Sequence, residues 1–83
     1  MDIEKQQELR HLALKIKERR KQLGISQEKL AQKCDFDRTY ISLLERAKRN
    51  PSYLNLIKLS VGLEIKLSVL LREEDEHTSK ENY

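Results

Sequence analysis

A chain of 83 residues with two glycines, one proline, 37% charged residues and a single cysteine is sized for one domain that buries about 60–65% of its unfolded surface. Lone Cys34 excludes an intrachain disulfide framework. No apolar run reaches the roughly 18 to 20 residues of a membrane span, and the charged opening "MDIEKQQELR" is no export signal, so a cytoplasmic protein is expected. The net charge of +3 is unevenly placed: residues 72–83 hold two basic and five acidic residues, leaving fifteen basic against nine acidic on residues 1–71, a profile that suits a polyanion binder or simply a soluble body.

The scarcity of glycine and proline and the lack of β-branched clusters predict an all-α chain. Leu9, Leu12, Ala13, Ile16 and Leu23 recur on one face of a first helix from about Lys5 to Leu23, ended by Gly24. Its basic run "KIKERRKQ" reads as a solvated face that adds long-range attraction, and His11 as surface. Ser26 can cap a second helix to about Lys33, with Glu28 in its first turn and Leu30, Ala31 and Cys34 facing inward.

Asp35, Phe36 and Asp37 then break the period, and Asp37 is a good N-cap for a third helix, about Arg38 to Arg46, that buries Ile41 and Leu44, with Leu43 a further candidate. "AKRNPS" reads as a loop in which Asn50 or Ser52 caps a fourth helix carrying Leu54, Ile57 and Val61 to a stop near Gly62. "EIKLSVLLREED" predicts a short fifth helix with Ile65, Leu67, Leu70 and Leu71 apolar. Residues 1–75 thus form the expected domain, and 76–83 a polar, disordered tail.

His11, His77 and Cys34 are too scattered for a zinc site and cannot be grouped into nucleophile, base and stabiliser. No metal, cofactor, small-molecule ligand or catalytic residue is expected. The informative spacing lies in helices two and three. Leu30, Ala31, Cys34, Phe36, Ile41 and Leu44 fit two helices crossing steeply in a tight turn, touching where the small Ala31 sits.

With its Ser-Gln opening, "LERAKRNPS" and "LIKL", the run "ISQEKLAQKCDFDRTYISLLERAKRNPSYLNLIKLSVGL" resembles the Cro and phage-repressor (XRE-type) class of helix-turn-helix regulators over residues 10–71. "DRTYIS" followed by "ER" and "RNP" in so small a chain is similar to the controller proteins of restriction-modification systems. That resemblance implies a compact five-helix, lambda-repressor-like domain that binds a pseudo-palindromic DNA operator as a homodimer. It also implies first activation and then repression of the protein's own promoter and that of the endonuclease, with RNA polymerase as a further partner. The family often has glycine where this chain carries Asp35 and Ala47; aspartate tolerates a left-handed turn better than most residues.

In such a motif the start of the third helix meets base edges, which nominates Arg38, Thr39, Tyr40 and Ser42. Arg38 suits guanine, Thr39 a thymine methyl, Tyr40 a ring contact or phenolic hydrogen bond. The bland alternatives are Arg38 paired with Asp35 or Asp37, and Tyr40 packed against Phe36. Gln27, Arg46, Lys48, Arg49 and Asn50 are the phosphate candidates. Apolar residues in excess of one small core, Leu54, Leu56, Leu63, Ile65, Leu67 and Leu71 among them, are expected at the dimer interface. An antitoxin or phage-type repressor of the same fold, and a helical adaptor without specific DNA affinity, are the competing readings.

Overall fold

The computed structural model describes residues 3–72. It contains five helices, α1 (Ile3–Gln22), α2 (Gln27–Cys34), α3 (Arg38–Glu45), α4 (Tyr53–Gly62) and α5 (Leu67–Leu70), and no strand among the described residues. The predicted tail, and the end of the predicted fifth helix, lie outside them. Ser26 and Ser52 each accept a hydrogen bond from the backbone N–H three residues on, Lys29 at 3.0 Å and Asn55 at 3.2 Å, which fixes the starts of α2 and α4. Asp37 occupies the predicted cap of α3, but its side chain makes no capping hydrogen bond.

Four helix ends close in the same way. After α1 the Gly24 N–H donates to Lys21 and the Ile25 N–H to Arg20; the paired bonds recur at Asp35 and Phe36, at Ala47 and Lys48, and at Glu64 and Ile65. Each closure puts one residue in the left-handed region, yet only Gly24 (φ 70°) is glycine; the others are Asp35 (φ 62°), Ala47 (φ 59°) and Glu64 (φ 56°). Glu64 also pairs with Lys33 at 2.5 Å, which holds its carboxyl below the usual range. Ala47 has no such polar partner to offset its strain. Ala47→Gly is therefore expected to stabilise the fold by about 0.5–1 kcal/mol, the relieved strain less the added freedom of the unfolded chain. A thermal scan checks this, with a rise of roughly 2–8 °C expected and an unchanged or lower midpoint contradicting it.

The core draws Ile16 from α1, Leu30, Ala31 and Cys34 from α2, Ile41 and Leu44 from α3, Leu59 and Leu63 from the α4 region, and Leu70 from α5. α4 turns inward a face that its spacing did not mark. Leu59, Ser60 and Leu63 are buried, whereas Leu54 and Val61 are each 68% exposed. Leu63 therefore cannot serve a dimer interface, because it is wholly consumed by the protomer's own core; Leu56, Ile65 and Leu67 also pack against that core.

α4 stops at Gly62 as expected, but the left-handed residue that closes it is Glu64. A Cβ built on Gly62 would overlap the Cys34 sulfur. Burial pushes the Cys34 thiol up to about 11, so it stays neutral near pH 7 and behaves as a small apolar filler. α5 is only one turn long, since Glu64 is left-handed and Lys66 is extended (ψ 142°) immediately before it.

Candidate nucleic-acid interface

Eight residues of α3 span about 12 Å, close to the width of a DNA major groove. Buried Ile41 and Leu44 fix one side of this helix to the body, so its start projects from the surface. Arg38 and Thr39 are exposed there. Neither has a hydrogen-bond or ion-pair partner among the described residues, so the pairing of Arg38 with Asp35 or Asp37 does not form. Ser42, one turn on, is half-buried, and its carbonyl accepts from the Arg46 backbone N–H and guanidinium.

Tyr40 is both packed and available. Its ring meets Phe36 edge to face at 4.7 Å, and the Arg49 guanidinium sits 5.1 Å from its centroid. Its hydroxyl accepts a 2.9 Å hydrogen bond from the Asn55 side-chain amide, while the residue remains only half-buried. Lys58 lies over Phe36 at 5.4 Å. Sequence reasoning missed Asn55 and Lys58; the available signal was the polar pair in "LNLIK", unexplained by a core role.

The phosphate candidates divide. Lys48, Arg49 and Asn50 form an exposed loop beside α3, and Arg46 is exposed at its end. Gln27, at the first position of α2, donates through Nε2 to Glu45 Oε1 at 3.1 Å. Its amide carries a second N–H, so this bond orients the side chain without exhausting it.

The basic run of α1 is only in part the solvated face expected: Lys17 and Lys21 are exposed, whereas Lys15, Arg19 and Arg20 are engaged with the body. Arg20 grips Glu45 with two parallel bonds of 2.7 and 3.0 Å and donates to the Ile25 carbonyl at 2.9 Å. The bond to Glu45 holds the guanidinium above its ordinary pKa. Arg19 donates to the carbonyls of Leu63 and Glu64 at 2.9 and 3.0 Å, and Lys15 to that of Val69 at 3.3 Å. Three cations thus satisfy carbonyls and a carboxylate that folding would otherwise strand. A string of letters shows their charge but not that the chain folds back beneath them.

Comparison with known proteins places this geometry. A helix-turn-helix family model matches residues 16–70. The control protein C.MunI of Mycoplasma sp is 48% identical over 60 residues, covering 71% of this chain and 81% of the relative. The crystal structure of the restriction-modification controller protein C.AhdI from Aeromonas hydrophila superposes with a TM-score of 0.75 at 35% identity, over 78% of this chain and 94% of that one. The controller protein C.Esp1396I, solved as a tetramer in complex with its natural 35 base-pair operator, superposes at 0.72 with 38% identity, over 87% of this chain and 90% of its own.

Proposed function

The chain belongs to the helix-turn-helix family, and on that premise we propose that it is a sequence-specific DNA-binding regulator serving as the controller protein of a restriction-modification system. The observation that carries the reading is the exposed, unpartnered start of α3, Arg38 and Thr39, on a helix whose opposite side is buried. Arg38, Thr39, Tyr40 and Ser42 read base edges; Arg46, Lys48, Arg49, Asn50 and Gln27 meet phosphates. The protein acts by occupancy and catalyses nothing. No described helix is long and apolar enough to cross a membrane.

It binds as a homodimer. Leu54 and Val61, seven residues apart on the outer side of α4, are two of the most exposed large apolar residues, and Leu71 at 50% exposure adds to them. A two-fold pair of such chains presents two α3 helices to half-sites about 34–36 Å apart. A relative that sits as a tetramer on one 35 base-pair operator supports two dimers side by side. Filling the first site recruits polymerase, and filling the second blocks the promoter.

Selection of bound DNA from a random pool tests the reading, with a palindrome expected. Affinity for that palindrome should fall with salt at a slope of about −0.9 per phosphate neutralised; a flat response would favour a protein-binding adaptor. Arg38→Ala should cost about 1–3 kcal/mol on the selected operator and relax preference at one base pair. Arg49→Ala should weaken all sequences and lower the salt slope by about 1. Loss confined to one sequence would remove Arg49 from the phosphate set.

A further inference from the structure

We propose that Asn55 is a positioning residue for DNA recognition: by donating to the Tyr40 hydroxyl it leaves that hydroxyl's own proton to be given outward, to a hydrogen-bond acceptor on a base edge. This rests on the reading of Tyr40 as a base contact. A phenol has one donor and two acceptor sites. Asn55 Nδ2 fills one acceptor site at 2.9 Å, and among the described residues no group accepts the phenolic proton.

The ring that carries it is fixed from three directions, by Phe36 on its edge, Arg49 over its face and Asn55 at its oxygen. With its direction set in the unbound protein, the O–H pays little ordering cost on binding. The same arrangement selects for acceptors: guanine O6 and N7, adenine N7 and thymine O4 satisfy it, and the cytosine amino group does not. Asn55 comes from α4, so a residue outside the helix-turn-helix pair would set the preference of one that lies within it.

The test compares Tyr40→Phe, Asn55→Ala and the double variant on a selected operator and on its full set of single base-pair changes. Asn55→Ala keeps the backbone N–H that Ser52 caps, and a thermal scan of each variant establishes that it is folded. Each single change is expected to weaken operator binding by up to about tenfold. Both should flatten preference at the same base pair, and the double variant should bind no worse than Tyr40→Phe alone. A role for Asn55 in folding alone would not move base preference.

Multiplied losses would mean that Asn55 touches DNA itself, and wild-type binding by Asn55→Ala beside a weakened Tyr40→Phe would mean that the hydroxyl needs no setting. Either result overturns the proposal while leaving Tyr40 as a contact. Wild-type binding and preference in Tyr40→Phe would instead remove the Tyr40 hydroxyl from recognition, and the proposal with it.

Discussion

Glu45→Ala is expected to cost about 3–5 kcal/mol, the usual consequence of leaving one member of a buried ion pair without its partner. The side chains of Arg20 and Glu45 are 12% and 2% exposed, with Nε and Oε2 2.7 Å apart, and Gln27 depends on the same carboxylate. At about 0.05–0.15 kcal/mol per residue a domain of this size has on the order of 4–12 kcal/mol in all. The variant should therefore lose roughly a quarter or more of its stability, read as the shift of a urea unfolding curve at constant slope. Replacing both partners, Arg20→Met with Glu45→Leu, should recover most of the loss, because a packed apolar pair carries no desolvation cost. A Glu45→Ala protein within about 1 kcal/mol of its parent would mean that the pair is effectively solvated.

Gly62→Ala should be the next most damaging change, at about 1–3 kcal/mol or more, because the new methyl would overlap the Cys34 sulfur. Helix propensity alone predicts the opposite, a gain of about 1 kcal/mol for replacing glycine inside a helix. The sign of the measured change therefore separates the two effects. Cys34→Ala creates a small void beside Gly62, and the added methyl should fill it, so the double variant should be more stable than Gly62→Ala. Equal stability of the two would place the clash at the backbone, where the Cys34 nitrogen lies 3.4 Å from the added carbon.

These two sites mark where the sequence was and was not legible. The order of the five helices, the serine cap at Ser26 and the inward Leu30, Ala31 and Cys34 follow from spacing, since each depends on residues within one or two turns, whereas of the two caps open to α4, Asn50 and Ser52, the structure takes Ser52. The inner face of α4 does not follow from spacing. Leu54 and Val61 repeat every seven residues and Leu59 and Leu63 every four, so the helix carries two apolar stripes, and only its partners decide which one turns inward.

Gly62 was legible as the end of α4 but not as a packing site, because its close approach to Cys34 is a long-range fact. Arg38 and Thr39 were legible as exposed residues because the start of α3 leaves few neighbours to hide them. The bonds from Asn55 to Tyr40 and from Gln27 to Glu45 cross 15 and 18 residues of chain, beyond the reach of local pattern.

In the homodimer proposed above, the double stripe on α4 would make the protein's survival depend on its abundance. One stripe completes the fold, and the other bears Leu54 and Val61, each 68% exposed in the single chain, which a second copy would cover in that homodimer. Association then adds to folding stability by mass action. Scarce chains would open more often and meet proteases more often, whereas abundant chains would shelter one another. Synthesis rate would thus set lifetime as well as copy number, sharpening any threshold at which the operator fills.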